Sequence, residues 1–392
     1  MKKILSCFAL LLLAFVAGLA FERSVFRPQT PRPLVQFGEQ HTLHSKVLNE
    51  DRLYWVYLPS SYQSGVNQSS QKYPVLYVLD GDWNFSWASE VAQFMGDSLL
   101  APEFIVVGIP NTDRDRDLTP THTQDPDYAS SGGGPLFERF LTEELEPKID
   151  AEFRTVPCRI LVGHSLGGAL AADSFLRQAD GFNAYIAIDP SLWWDDQVLV
   201  RRAKDFIPKT NSSASIFVTT AGWRSLDPTN SMTCSQKAFV SILRTNSSPG
   251  IRIGYEVESE DHSSSRLLAL YDGLRFIFEG YKPMDPLVLN TPLLIKDHFK
   301  QLSDRLDYQI SPPRVLVSNI GYGLLGAHET NNAVECFKLN VGNYPTSGYV
   351  YRDLANAYAA MGEKELAIQN YKRALELDPN TYGVKQALKK LR

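Results

Sequence analysis

Residues 163–168 have the sequence Gly-His-Ser-Leu-Gly-Gly, a spacing that could carry nucleophilic chemistry at Ser165. They follow a short apolar run and precede a helix-like pattern. In that setting a Gly-x-Ser-x-Gly segment predicts a sharp strand-to-helix turn that exposes the serine hydroxyl, with glycines because the turn is strained and crowded. The alternative is a glycine-rich turn whose serine only caps the helix. The setting favours the nucleophile.

A serine hydroxyl is a poor nucleophile unless a base takes its proton. Of the seven histidines, His262 is the candidate, because it falls after the last predicted strand and before a helix, where a hydrolase sheet holds its base. The alternative is an exposed loop histidine. A serine and a histidine of this kind are usually completed by a carboxylate. It should follow the strand before the one that leads to His262, and Asp227 lies there. An Asp-Pro pair also suits a turn, so Glu256 and Glu258 remain alternatives.

Two backbone N–H groups are expected to stabilise the negative charge that develops on a reacting carbonyl oxygen. One belongs to Leu166, directly after the serine, and the other to Asp82 or Trp83 in the loop after a predicted strand. Gly81 permits the tight turn that this loop needs. The sequence has no Cys or His spacing typical of a metal site, and the predicted chemistry needs no metal or organic cofactor.

The elements that must position these residues alternate between short β-rich segments and helical patterns over residues 36–285. The predicted strands cover residues 53–58, 75–80, 104–109, 158–162, 184–188, 215–220 and 251–257, and helices cover 136–149, 166–178, 235–245 and 266–279. Several strands are continuous apolar runs, as expected for strands buried on both faces. The alternation predicts an α/β fold with a doubly wound, mostly parallel sheet whose chemistry lies at the carboxyl ends of its strands.

The C-terminal part, residues 286–392, is predicted to be a small all-α region. Residues 348–381 match the tetratricopeptide pattern at nearly every position, and residues 314–347 match it in the same register. Two repeats are fewer than usually fold alone. We therefore expect them to pack on a preceding helix at about 292–306 and on the main domain, with a final capping helix.

The N-terminus has two lysines followed by an apolar run over residues 4–21. Small residues near the end of the run predict a signal peptide over residues 1–20, and a Pro-rich linker follows at 21–35. The protein is therefore expected to be secreted or periplasmic. If the segment is not cleaved, it would anchor the chain to a membrane.

The composition narrows the class of protein further. Of 392 residues, 44% are hydrophobic and 21% charged, and the formal net charge is −5. This balance excludes disordered, collagen-like and coiled-coil proteins, and the mild acidity argues against a nucleic-acid partner.

Several motifs together resemble the "putative esterase" family, the esterase D-like branch of the α/β-hydrolases, which includes ferric-siderophore esterases. They are Leu-Asp-Gly at 79–81, the segment 107–121, Gly-Gly-Gly at 132–134, the serine motif at 163–168, Pro-Ser-Leu-Trp-Trp at 190–194 and Asp-His-Ser at 261–263. The resemblance covers residues 36–281. It implies that Ser165 is the nucleophile, that His262 is the base, and that Asp82 and Leu166 provide the oxyanion donors.

Two positions depart from the family pattern. Members often carry a Gly-x-x-Glu after the seventh strand, whereas here Gly222 is followed by Trp-Arg-Ser-Leu, with Asp227 later. The residue before the Pro-Ser-Leu-Trp-Trp motif is Asp189 instead of the usual serine. Because some siderophore esterases work with only serine and histidine, a catalytic pair without an acid also stays open.

Residues near these motifs are candidates for substrate binding. Arg116 could hold an anionic group, although the mixed charges of residues 114–117 favour ion pairs that tie down the loop. The side chains of Trp83, Trp193 and Trp194 could line an apolar acyl pocket or belong to the core.

These features predict a serine esterase that acts on a small-molecule carboxylic ester through an acyl-enzyme intermediate. One alternative is an acyltransferase of the same fold, which differs only in the acceptor of the acyl group. Another is a non-catalytic protein whose repeats bind a protein partner, although such a scaffold has no need of Ser165 and His262. Siderophore lactones, short acyl esters, thioesters and lipid or sugar esters all suit the same geometry.

Overall fold

An eight-stranded sheet organises the structure, a computed structural model that describes residues 37–63, 71–178, 181–207, 213–222, 229–283 and 285–391. Its strands are β1 (Glu39–Ser45), β2 (Glu50–Tyr57), β3 (Tyr73–Leu79), β4 (Ile105–Ile109), β5 (Thr155–His164), β6 (Ala184–Ile188), β7 (Ser215–Thr220) and β8 (Arg252–Val257). Their order is β1-β2-β4-β3-β5-β6-β7-β8. β2 is antiparallel to both of its neighbours and all other pairs are parallel, so the predicted mostly parallel sheet is confirmed.

All seven predicted strands are present, with ends shifted by no more than three residues. No sequence pattern marked β1 as a strand, because its residues (Glu-Gln-His-Thr-Leu-His-Ser) are largely polar and most of its side chains are not buried. It is an edge strand held by pairing with β2.

Helices connect the strands. They are α1 (Ser60–Gln63), α2 (Gly81–Asp97), α3 (Arg114–Leu118), α4 (Gly134–Phe140), α5 (Glu146–Glu152), α6 (Leu166–Arg177), α7 (Trp194–Lys204), α8 (Ser231–Asn246) and α9 (Arg266–Ile277), and a π-helical turn at Leu141–Leu145 joins α4 to α5. Alternate strand residues face opposite layers. Tyr185 belongs to the core shared with α4, α6, α7 and α8, whereas its neighbour Ile186 lies against Gly273 of α9.

Six further helices form the C-terminal region: α10 (Pro292–Leu306), α11 (Arg314–Gly326), α12 (Thr330–Asn343), α13 (Gly348–Ala360), α14 (Lys364–Leu377) and α15 (Val384–Leu391). Helices α11 and α12 pack as one pair and α13 and α14 as another. The pairs lie inside the predicted repeats, and α10 has the bounds that the sequence indicates.

The C-terminal helices pack on the edge of the sheet where its parallel strands begin. The rings of Tyr281 and Phe299 meet edge to face, 6.0 Å between centroids, and His298 Nε2 donates to the carbonyl oxygen of Gly280 at 2.9 Å. Burial raises the pKa of Tyr344 to about 12, with a contribution from the charge of Glu103, which lies two residues before β4. The predicted packing on the main domain is therefore seen, at the edge opposite the carboxyl ends.

Within the described ranges, no helix is long and apolar enough to span a bilayer, and Cys158 and Cys336 are buried thiols outside any disulfide. The predicted signal peptide at 1–20 and the linker at 21–35 lie outside the described residues.

Candidate active site

Ser165 sits on the sharp turn between β5 and α6, with φ 59° and ψ −114°. This backbone conformation is strained for any residue with a side chain. Besides the first hydrogen bond of α6, from Ala169 N–H to the oxygen of Ser165, two backbone hydrogen bonds of 3.0 Å hold the turn, one from Ser165 N–H to the oxygen of Ile188 and one from Ser191 N–H to the oxygen of Ser165. A Cβ on Gly163 would lie 2.1 Å from the oxygen of Gly167, so glycine is required there. The turn has the geometry that the Gly-x-Ser-x-Gly spacing predicts.

His262 lies in the loop after β8, and its Nδ1 is 2.5 Å from Oδ2 of Asp189. Asp189 directly follows β6 and its side chain is fully buried. The ring of His262 is 4.3 Å from that of His164, the residue before Ser165. The structure therefore brings a histidine and a carboxylate together beside the serine turn.

The charge of Asp189 is stabilised by hydrogen bonds. Besides His262, the backbone N–H of Ala221 and the side-chain amide of Gln236 donate to Oδ1, at 3.1 and 2.9 Å. Burial alone would raise the pKa of this carboxyl, but the donated hydrogen bonds outweigh it and hold the pKa below its usual value. An ionised carboxylate at Nδ1 keeps the ring proton on that nitrogen, which leaves Nε2 to act as a base.

His164 fixes the other side of the histidine loop. Its Nε2 donates to the carbonyl oxygen of His262 at 2.7 Å. Burial and the nearby ring of His262 lower the pKa of His164 to about 3. His164 is therefore neutral at physiological pH and acts as a hydrogen-bond donor rather than as a second base.

The predicted oxyanion donors lie in the first turns of two helices. The N–H of Trp83 donates to the oxygen of Asp80 at 2.9 Å, so of the two candidates in this loop Asp82 remains. Asp82 and Leu166 are among the first residues of α2 and α6, where N–H groups have no partner inside the helix and favour negative charge. No acceptor from the described part of the chain is bonded to either N–H.

The turn at residues 80–83, which enters α2 and is here called the oxyanion loop, is held by a buried carboxylate. Asp80, 1% exposed, accepts hydrogen bonds from Arg114 Nε and Asn111 Nδ2, each at 2.7 Å. The guanidinium of Arg114 also lies 5.4 Å from the ring centre of Trp83, which is 58% exposed. Trp83 thus presents an exposed aromatic edge beside the oxyanion loop, while the guanidinium of Arg114, 24% exposed, is held by Asp80 through Nε and Nη2.

Arg116 does not contribute to that edge. Its Nε donates to Asp117 at 2.7 Å and its two terminal nitrogens donate to Glu50 at 2.9 and 2.6 Å. The hydrogen bonds from Arg116 to Glu50, and to a smaller extent one from Arg52, lower the pKa of Glu50 to about 2. The prediction that Arg116 contacts the substrate is corrected, because its guanidinium is occupied in an ion-pair network. The structure instead has the ion pairs that the mixed charges of residues 114–117 favoured.

The three tryptophans divide between surface and core. Trp83 and Trp193 are exposed, whereas Trp194 is 1% exposed and its Nε1 donates to the oxygen of Thr121 at 3.2 Å. Trp194 is therefore a core residue and not a substrate contact, because its ring and its N–H are both already engaged.

Of the acids that the sequence favoured, the structure describes Glu256 and Glu258, and within the described residues neither has a hydrogen bond to His262. Asp227 lies outside the described residues. Glu256 is exposed, and burial raises the pKa of Glu258 to about 7, helped by the charge of Asp272. The carboxylate at Nδ1 comes from β6 instead. Its only sequence signal was the departure from the family pattern at position 189.

Sequence reasoning also missed a bridge between the histidine loop and α2. Arg266 donates through Nε to the oxygen of Ser263 at 2.7 Å and through Nη1 to Oδ1 of Asn84 at 2.9 Å. Asn84 in turn donates to the oxygen of Leu79 at 3.0 Å. No local pattern could have revealed this contact between distant segments.

Within the described residues, no three His, Cys, Asp or Glu side chains are grouped to hold a metal ion.

Comparison with known families gives two matches. The model of the family described as "Putative esterase" matches residues 45–237, and that of the "Tetratricopeptide repeat" matches residues 348–381.

Individual proteins agree with these matches. The ferri-bacillibactin esterase BesA of Bacillus subtilis (strain 168) is 26% identical over 250 residues, which are 58% of this chain and 86% of the relative. The structure of an IroE-like serine hydrolase from Shewanella oneidensis has a TM-score of 0.65 at 28% identity, covering 77% of this chain and 98% of its own. A protein from Capnocytophaga ochracea DSM 7271, 16% identical, shares the fold over 90% of this chain and 99% of its own, with a TM-score of 0.60. Residues 45–237 therefore match the model of the "Putative esterase" family and residues 348–381 that of a tetratricopeptide repeat, and together with these relatives they support an esterase-type hydrolase.

Proposed function

We propose that this chain is a serine esterase whose triad is Ser165, His262 and Asp189. The observation that carries the proposal is the 2.5 Å contact between His262 Nδ1 and the buried Asp189, beside the strained turn of Ser165. In this proposal Asp189 takes the role that the sequence favoured for Asp227.

The reaction begins when Ser165 Oγ attacks the carbonyl carbon and His262 Nε2 takes its proton. In the structure Ser165 Oγ lies 3.2 Å from Ser191 Oγ, and the proposal requires it to turn from that hydroxyl to Nε2 of His262. The N–H groups of Leu166 and Asp82 stabilise the oxyanion. The bond to the leaving alcohol then breaks, the alcohol receives the proton from His262, and water releases the acyl group by the same steps.

The substrate we infer is a siderophore-type ester. Support comes from the relative named a ferri-bacillibactin esterase and from the exposed ring of Trp83, since an aromatic side chain can stack on an aromatic ester. We further infer a secreted or periplasmic protein, from the signal-like sequence of residues 1–20. The repeats are proposed to offer a surface for a protein partner.

Labelling by a fluorophosphonate probe tests the mechanism, because Ser165 Oγ displaces fluoride from phosphorus only when a base removes its proton. We expect one adduct by intact mass on the wild-type chain and none on Ser165→Ala. Labelling of His262→Ala and Asp189→Asn should slow by about 10³–10⁴-fold, because each variant loses the correctly oriented base.

The matched control is Ser259→Ala, which removes an exposed hydroxyl from the same loop as His262 and should label at the wild-type rate. An adduct that persists on folded Ser165→Ala would overturn the assignment of the nucleophile. Wild-type labelling of Asp189→Asn would return the acid to Asp227 or to a serine–histidine pair.

A further inference from the structure

A buried chain of hydrogen bonds leads from Asp189 away from the active site to β8. The side-chain amide of Gln236, on α8, donates to Oδ1 of Asp189 and to the oxygen of Pro190, both at 2.9 Å. Its Oε1 accepts from Thr220 Oγ1 at 2.7 Å, and Thr220 Oγ1 is 2.9 Å from the hydroxyl of Tyr255. Gln236 and Thr220 are both fully buried.

The direction of every hydrogen bond in this chain is fixed by chemistry. Nε2 of Gln236 faces a carboxylate and a backbone carbonyl, which only accept, so the amide nitrogen and oxygen cannot be exchanged. Oε1 must then accept the proton of Thr220. The hydroxyl of Tyr255 is left to donate to Thr220. All of the donors therefore point toward Asp189.

Such an aligned chain acts on a buried carboxylate more strongly than one isolated donor. Hydrogen bonds inside a protein polarise one another, and a donor to an ionised group is stronger than one between neutral groups. Asp189 is fully buried, where an unsupported charge is costly. The Gln236 amide thus stabilises the charge of the buried Asp189 in place of solvent, so that Asp189 stays ionised beside His262.

We propose that Gln236 is a positioning residue of the esterase, which sets how strongly Asp189 acts on His262, with Thr220 and Tyr255 as its support. The proposal rests on the triad proposed above. Gln236 touches neither Ser165 nor His262 in the described hydrogen bonds, so its effect must pass through the carboxylate.

The consequence concerns the pH at which the base works. Without the amide donors, more of the Asp189 charge is left for the imidazolium of His262 to balance. The pair of Asp189 and His262 then carries its net negative charge less readily, and the low-pH limb of the pH–rate profile moves upward. A purely structural role of Gln236 would lower the rate at every pH and leave the limb where it is.

The test is the rate of fluorophosphonate labelling as a function of pH. Gln236→Met removes both donors at nearly constant shape. We expect its low-pH limb to move up by about one pH unit and its plateau rate to fall about tenfold. Thr220→Val keeps the amide and removes only its support, so its limb should move the same way by about a third as much.

Val240→Ala is the control, because it creates a buried cavity one turn further along α8 without touching the chain of hydrogen bonds. It should lose stability and keep the wild-type limb. Unchanged limbs in folded Gln236→Met and Thr220→Val overturn this proposal, and Thr220→Val alone decides if Gln236→Met does not fold. Failure of the wild-type chain to label would overturn the triad as well, whereas normal wild-type labelling with unmoved limbs removes only the role of Gln236.

Discussion

At the scale of single residues, His164 shows how a titratable side chain is kept neutral to serve as a donor. Its Nε2 holds the carbonyl of His262, and its pKa is lowered to about 3, chiefly by burial. The unfolded chain binds a proton at this histidine below pH 6.5, whereas the folded chain does not until much lower pH. Stability from this residue is therefore present above pH 6.5 and lost as the pH falls toward 3.

Replacing His164 by Gln, which keeps an N–H donor and does not titrate, should reduce this sensitivity to acid. Between pH 7 and pH 5 the wild-type chain should lose about 2 kcal/mol of stability that His164→Gln retains. Urea unfolding of both chains at the two pH values measures the difference. Equal losses in both chains would show that His164 does not carry the effect.

The residues of the site differ in how far the sequence could reveal them. Ser165 and His262 were predicted because a short motif and the order of elements point to them. Asp189 was not, because its contact with His262 joins the end of β6 to a loop after β8, and order alone puts the acid one strand later. Gln236 and Arg266 belong to no motif, and only packing brings them near the site.

At the scale of elements, the bridge of Arg266 and Asn84 ties the histidine loop to the start of α2. One guanidinium contacts the oxygen of Ser263 and the side chain of Asn84, so the base and the oxyanion loop share a support. Arg266→Met keeps the length of the side chain and removes both contacts. We expect fluorophosphonate labelling to slow by about tenfold with the fold intact, because the loop of His262 and the start of α2 are no longer held in a fixed relative position.

Arg275→Met is the matched control for that variant, since Arg275 is exposed on the same helix and lies over Tyr271 at 5.7 Å. Its labelling rate should equal that of the wild type. If Arg266→Met also labels at the wild-type rate, the bridge has no influence on the reaction.

The elements themselves were largely predictable where burial shapes composition. The parallel strands are apolar runs, and the repeats have a fixed register, so both leave a sequence signal. β1 and the short helix α3 leave none. They depend on pairing with β2 and on the ion pairs of Arg116 with Glu50 and of Asp117 with Arg52, which join distant parts of the chain.

At the scale of the whole molecule, the C-terminal helices share a core with the sheet. Phe299 is 1% exposed and meets Tyr281, which in turn contacts Phe278. Phe299→Ala should lower the free energy of unfolding by about 3–5 kcal/mol. Because the core is continuous, denaturation should remain one transition, and labelling of Ser165 should be unchanged since the site lies at the opposite edge.

Leu293→Ala, on the exposed side of the same helix at 66% exposure, should change stability by less than about 0.5 kcal/mol. Scanning calorimetry of both variants is the measurement. Two separate transitions, with only one displaced in Phe299→Ala, would show that the helical region unfolds on its own.

The turn at Ser165 is held by its backbone and not by its side chain, and this has a practical use. Both hydrogen bonds that fix the turn, to Ile188 and from Ser191, are made by main-chain atoms, so Ser165→Ala should keep the shape of the site. Such a chain could still dock an ester but could not cleave it. It is therefore a bait with which the natural substrate can be drawn intact from a mixture of metabolites and identified by native mass spectrometry.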